Sequence, residues 1–401
     1  MMLGFDEARA RLLADVRRVS SERSALGESA GRVLAENLVA REPLPPFDYS
    51  AMDGYAVATR DLKGEGPWSL PVVGQSQAGR DAPSLAAGTA CRIFTGAPIP
   101  ALADAVVMQE HGTEEGRVFR FGSRPKAGQH IRRAGEDLPR EAIAIAAGTR
   151  LTPGAIALAA MLDRSEFIVA RRPCVTILCT GDELRSPGSE KRPASIPESN
   201  SASLAALARQ AGASVRIAPL VLDESAATRR AIEAALDGTD VLLTVGGVSV
   251  GDHDVVRAAL EDTGVVLDFW KVAIKPGKPL AVGSTPRARV LGLPGNPASA
   301  LVTFAMFGMP LLRAMQGDAC PLPMRFVVRL ARPRKRSVDR LEFVRASLRI
   351  EDGVLTADAH DNQASGSATS LAHSEGVALV SPGAEPLEAG ALVDFVRWGD
   401  T

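Results

Sequence analysis

Three observations predict a multidomain α/β plus β fold. Strand and helix patterns alternate over 172–318. Short Val- and Gly-punctuated runs fill 48–140. Five strand-like runs occupy 319–401. A chain of 401 residues also exceeds one ordinary core, so two to four domains are expected.

From the N-terminus, Phe5, Ala8, Leu12, Val16 and Val19 recur at helical spacing and predict an amphipathic helix over 5–19. A second helix is expected around 26–36. Prolines at 43, 45 and 46 forbid a long helix in EPLPPFDYSAMDGYAV (42–57), which reads as an extended entry into a new unit. SLPVVG, ACRIFTG, AVVMQEH and GRVFRFG then predict a small β-rich unit. TPGAIALAAMLD and EFIVAR return to helix and strand patterns over 141–171. The β-rich unit 48–140 thus reads as an insertion into a helical linker made of 1–47 and 141–171.

From Pro173, the strands CVTILCT, SVRIAPLV and DVLLTV each precede a helix, and RVLGLP precedes the long ASALVTFAMFGMPLLRAMQG. Apolar, β-branched strands alternating with helices predict a mostly parallel sheet covered on both faces. In the last segment FVVRL, LEFVRASLRI, GVLTADA, GVALV and ALVDFVRW predict a small barrel or sandwich, with Asp352–Gly353 as a hairpin turn.

Composition narrows the function. Net charge is −1 and aromatics are 4 %, which argues against nucleic acid and anionic membranes as partners. No run of about 18 apolar residues predicts a bilayer span, and the N-terminus lacks a secretory pattern. Cys91, Cys174, Cys179 and Cys320 are scattered and read as reduced thiols, so a cytoplasmic protein is expected.

Four strand-end loops carry unusual chemistry: TGDEL (180–184), LDES (222–225), GGVSVGDHD (246–254) and GLPGNPAS (292–299). In an open parallel sheet such loops share one edge. Glu183, Asp223 and Asp254 would then converge, and like charges so close call for a cation such as Mg²⁺. Taken singly, each acid is an ordinary helix-start residue. Gly246, Gly247 and Gly251 would let the backbone approach a phosphate-bearing ligand, with Ser249 donating at most a hydrogen bond. In IKPGKPLAVG, Lys275 and Lys278 flank a Pro–Gly turn and suit an oxyanion, though a solvated turn is the commoner reason for such lysines. Asn296 and Ser299 sit where free N–H groups of a helix start bind anions. In the β-rich unit, Asp53, Thr95 and Asp137 lie in turns.

GVSVG also matches a nucleophile elbow around Ser249. The esterase reading fails because no histidine is suitably placed and no HGGG-type stretch exists. Gly246–Gly251 is half a phosphate loop, but Asp252–His253 follows in place of Lys–Ser/Thr. The basic stretch RPRKR (332–336) reads as solvated surface.

Taken together, PPFDYSAMDGYAV, IFTGAPIPALADAVVMQE, TGDEL, SASLAALARQAG, GGVSVGDHD, FWKVAIKPGKPLAVG and GLPGNPASALVTF resemble the MoeA family of molybdopterin molybdenumtransferases, which includes the E domains of gephyrin and of plant Cnx-type proteins. The resemblance implies a MogA-like α/β domain over 172–318 and a C-terminal β-barrel over 319–401. It implies a homodimer with clefts shared between subunits. It also implies insertion of molybdate into the dithiolene of adenylylated molybdopterin, with release of AMP and a need for Mg²⁺. Partners would be a MogA-type adenylyltransferase and molybdoenzyme chaperones. By resemblance Asp53, Thr95, Glu183, Asp223, Asp254, Lys271 and Lys275 are catalytic, and Glu183, Asp223, Asp254 and Asp137 hold the metal. Lys278, Ser299, Arg345 and Ser365 take the molybdate side. Ala364 departs from the family's usual glycine before Ser365. The rival readings are a molybdopterin adenylyltransferase, a non-catalytic dimeric scaffold and a tungstate-selective relative.

Overall fold

The computed structural model describes residues 2–247 and 255–399. The first helix runs Phe5–Leu13, shorter than its apolar spacing suggests. Ala14 is extended and Asp15 takes a positive φ of 51°, which ends the helix. Val16 and Val19 still pack on the core, which explains why the apolar spacing continues past the helix. Phe5 packs edge-on against Phe307 and Phe343, with ring centroids 5.3 and 5.2 Å away. The helix thus joins the α/β core to the C-terminal sheet.

The helix expected around 26–36 is not formed. Only Leu26–Glu28 makes a single 3₁₀ turn. Gly31 sits at φ 71° and interrupts any helix. Strand Ser21–Ala25 instead pairs antiparallel with Glu166–Ala170. Val33 and Leu34 are buried, and Leu34 bridges to Val169.

The inserted β-rich region forms a six-stranded sheet in the order Ala105–Met108, Gly54–Val57, Ala90–Ile93, Trp68–Ser76, Val118–Phe121, Gly112–Glu115. Tyr55 stacks on Phe119 at 3.7 Å within its core. Gly54 is required there, since a Cβ would meet the Val107 carbonyl oxygen at 2.1 Å.

The α/β sheet has the order Ser214–Ile217, Cys174–Cys179, Val241–Val245, Arg289–Leu293, Pro279–Ser284, Val266–Lys271. Its first four strands are parallel, and Pro279–Ser284 alone runs against them, pairing antiparallel with Arg289–Leu293 and with Val266–Lys271. The long helical run that follows is Pro297–Thr303, a π turn over Phe304–Gly308, then Met309–Met315. Pro310 has no N–H to give the carbonyl one turn back, and the π turn before it absorbs the mismatch. Among the described residues this run alone is long and apolar enough to cross a bilayer. It is 89 % buried inside the protein, as a core helix is.

The C-terminal strands Phe326–Leu330, Leu341–Glu351, Val354–Ala359, Gly376–Val380 and Leu392–Arg397 close into a five-stranded barrel through the pairing of Leu341–Glu351 with Gly376–Val380. Asp352 and Gly353, at φ 50° and 76°, turn the hairpin as expected. Lys275 and Lys278 do not flank a simple hairpin. Ile274–Lys275 pairs with the barrel strand Leu341–Glu351, whereas Pro279–Ser284 belongs to the α/β sheet. The turn between them crosses from one sheet to the other.

The joint between the strand Glu166–Ala170 and the α/β sheet is pinned by a two-pronged pair. Arg171 donates to both Asp240 oxygens at 2.7 and 2.8 Å, and the Cys174 N–H donates to Asp240 at 2.7 Å. Burial raises the Asp240 pKa, but Arg171 and the Cys174 N–H outweigh it and hold the carboxyl below 3.8. This stabilisation is present above the unfolded value of 3.8 and is lost as pH falls through the lower folded value. Asp240→Asn should therefore cost about 1–3 kcal/mol at neutral pH. The gap to wild type should close in acid, as read from denaturant melts at pH 7 and below pH about 4. Gly54→Ala should destabilise by about 1–3 kcal/mol in the same melts, because its Cβ meets backbone rather than a yielding side chain.

Candidate functional site

The parallel strands Cys174–Cys179, Val241–Val245 and Arg289–Leu293 end at one edge, and a crevice of about 430 Å³ opens there. Thr180, Gly181, Glu183, Asp223, Gly246, Gly247, Gly295 and Asn296 all line it. The sheet thus brings together the four loops singled out in the sequence. Ser249, Gly251 and Asp254, with Asp252 and His253, lie outside the described residues.

Acid crowding is real on the described side. The Asp223 N–H donates to Asp182 Oδ1 at 3.0 Å. Burial, then the charges of Asp182 and Glu183, push the Asp223 carboxyl above its ordinary pKa. Glu183 folds back over Gly181, where a Cβ would meet its carboxylate at 2.7 Å. Hard carboxylate oxygens under mutual repulsion fit a divalent cation. Among the described residues, however, no three His, Cys, Asp or Glu groups are arranged to hold one.

The glycines have a cause closer than a ligand. Gly246 and Gly247 take φ of 90° and 64°. A Cβ on Gly246 would meet the Thr180 carbonyl oxygen at 2.5 Å, and one on Gly247 would meet Val256 at 2.2 Å. Their lack of a side chain is demanded by the protein's own packing.

Sequence reasoning missed Glu198 and Asn200, which also line the crevice. Buried Glu198 accepts from the Ser201 N–H at 2.9 Å and from the Cys179 thiol at 3.5 Å. Burial, then the Glu198 charge, pushes that thiol far up. Asn200 Nδ2 donates to the Gly295 carbonyl at 2.8 Å and ties this helix start to the GLPGNP loop. The signal was an acid and a serine just ahead of an apolar helix, as in helix-capping stretches.

A second group of residues gathers at the start of the helix Pro297–Thr303. The expected free N–H groups are fewer than the sequence suggested. Pro297 has none, and the Ala298 N–H already donates to the Ser365 carbonyl at 3.0 Å. Ser299 is buried there, at 4 % exposure. The loop carrying Ser365 also holds Arg345, whose Nη2 donates to the Asn362 and Ala364 carbonyls at 3.3 and 3.0 Å. Arg345 is fully buried, and its Nε and Nη1 have no hydrogen-bond partner among the described residues. Burial, then Arg334, lowers its pKa. A buried guanidinium with two unmet donors is costly unless an anion joins it.

Lys275 is not a free cation, since it pairs with buried Glu342 at 3.3 Å. Lys271 and Lys278 are exposed. The turn holding Lys278 packs on the helix Pro297–Thr303, because a Cβ on Gly277 would meet Thr303 Oγ1 at 2.3 Å.

Asp53 and Thr95 come together. Asp53 Oδ1 accepts from the Thr95 N–H at 2.7 Å and from its hydroxyl at 2.8 Å. These two bonds, with Arg92 nearby, hold the carboxyl below its ordinary pKa. Neither residue lines the crevice, nor does exposed Asp137.

Three family models match in chain order. They are the MoeA N-terminal region (domain I and II) over 3–162, a probable molybdopterin binding domain over 176–314, and the MoeA C-terminal region (domain IV) over 327–398. A protein of Haemophilus influenzae named molybdopterin molybdenumtransferase is 40 % identical over 352 residues, covering 86 % of this chain and 85 % of its own. One of the same name from Synechococcus elongatus is 36 % identical over 407 residues, covering 98 % and 99 %. A solved structure of the molybdopterin biosynthesis moeA protein from Pyrococcus horikoshii superposes with a TM-score of 0.80 at 28 % identity, covering 99 % of this chain and 100 % of that one. Matches that run through the inserted sheet, the crevice-bearing sheet and the barrel in one order leave a single assignment: the chain belongs to the MoeA family.

Proposed function

We propose that this chain is a molybdopterin molybdenumtransferase that places molybdate on the dithiolene of adenylylated molybdopterin and releases AMP. The observation that supports it most is Arg345, fully buried with two unmet donors, in a loop bonded to the helix start that carries Ser299. A tetrahedral oxyanion is the ligand that such a guanidinium and a buried hydroxyl suit. Lys278 supplies further positive charge from the packed turn, and Ser365 adds a hydroxyl.

The crevice would hold the pyrophosphate end of the substrate. Glu183 and Asp223, with Asp254 beyond the described residues, would hold Mg²⁺. That ion would neutralise charge on the phosphoanhydride that is cleaved as AMP departs. Glu198 and Asn200 fix the crevice wall, and Glu342 orients Lys275. Asp53 and Thr95 do not line the crevice of their own chain, so the proposal includes a homodimer in which they face the crevice of the partner subunit. A cytoplasmic location and hand-over from a MogA-type adenylyltransferase complete the reading.

Purified protein given adenylylated molybdopterin, molybdate and Mg²⁺ should release AMP and form molybdenum cofactor. Pyrophosphate formed from molybdopterin plus ATP, with no AMP released from the adenylylated substrate, would instead indicate the adenylyltransferase reading. Arg345→Lys removes the fork yet keeps the charge. It should raise the molybdate concentration for half-maximal cofactor formation by about 10- to 100-fold, with little change in the response to adenylylated substrate. Thermal melts would confirm that the variant is folded.

A further inference from the structure

A second cleft, of about 740 Å³, lies at the opposite edge of the α/β sheet, where the parallel strands begin. Five arginines from three chain segments line it: Arg17, Arg18, Arg171, Arg287 and Arg289. Among the described residues, three acids, Asp15, Asp237 and Asp240, share the lining.

The arginines are not equally committed. Arg171 is spent on Asp240 at 2.7 and 2.8 Å. Arg289 Nη2 donates to the Ala14 and Asp15 carbonyls at 3.2 and 3.0 Å. Arg17 donates to the Pro286 carbonyl at 3.5 Å, and its charge also acts on Asp240. The Arg18 and Arg287 guanidinium groups have no hydrogen bond or ion pair among the described residues, and both side chains are exposed.

Helix C-termini attract cations, and the helices Ser225–Leu236 and Met309–Met315 end at this cleft. Their terminal groups are served by others. Arg216 donates to the Asp237 carbonyl at 2.6 Å, and the Val19 N–H donates to the Met315 carbonyl at 2.9 Å. The helix ends therefore leave Arg18 and Arg287 unexplained.

We propose that this cleft binds a nucleoside triphosphate, with Arg17, Arg18 and Arg287 on the phosphates and Leu236, Pro286 and Met315 as the apolar wall for the base. The volume falls in the range of small-ligand sites. Guanidinium forks match phosphate oxygens in pairs. This site is separate from the crevice and does not depend on the reaction proposed there.

The test is calorimetric titration of ATP, with EDTA present, into the full chain, into Arg18→Ala/Arg287→Ala and into Lys275→Ala. Wild type should bind ATP, the double variant should lose at least about tenfold in affinity, and Lys275→Ala should bind as wild type does. Arg18→Gln/Arg287→Gln repeats the loss if the alanine variant melts early. No binding to wild type, undiminished binding to both double variants, or an equal loss in Lys275→Ala would overturn the proposal. Failure of the transfer reaction is read separately, as absence of AMP release.

Discussion

The parallel pairing of Cys174–Cys179, Val241–Val245 and Arg289–Leu293 is the constraint on which the candidate site rests. Parallel strands must all leave the sheet at the same edge. The loops beginning at Thr180, Gly246 and Pro294 are therefore neighbours, although more than a hundred residues separate the first from the last. Their acids crowd, and burial, then the charges of Asp182 and Glu183, raise the Asp223 pKa. A slip of any one strand would scatter the carboxylates and remove the argument for a cation.

The barrel contributes through a different kind of contact. Phe5 wedges between Phe307 and Phe343, and Lys275, in a short strand paired with the barrel strand, forms an ion pair with Glu342 beside it. These contacts hold the barrel strand Leu341–Glu351, and so Arg345, against the helix start at Pro297. An arginine on a freely hinged barrel could relax toward water. One sealed at zero exposure cannot turn its unmet donors to water.

Much of this was legible in the sequence because strand–helix alternation fixes which loops share an edge. The strands over 174–293 and the five barrel strands fall where their apolar patterns put them. The helix expected around 26–36 failed because Gly31 takes a positive φ and Val33 and Leu34 bridge to Arg150 and Val169, partners that apolar spacing in a short window cannot see. The reason for Gly246 and Gly247 was also hidden, since their neighbours Thr180 and Val256 come from other elements. Glu198 and Asn200 were visible only as a helix start, because nothing in the spacing says that Gly295 lies beside them. The burial of Arg345 is a tertiary fact that its strand position leaves open.

The central claim is that the transfer site needs the crevice of one chain and the Asp53–Thr95 pair of another. Subunit mixing tests it most directly. Asp53→Asn and Glu183→Gln should each be inactive alone as homodimers. Unfolded together and refolded as a mixture, they should recover about a quarter of wild-type activity, because half the dimers then carry one intact site. Full activity of Asp53→Asn alone, or no recovery in mixtures whose heterodimers are confirmed by mass, would contradict the account.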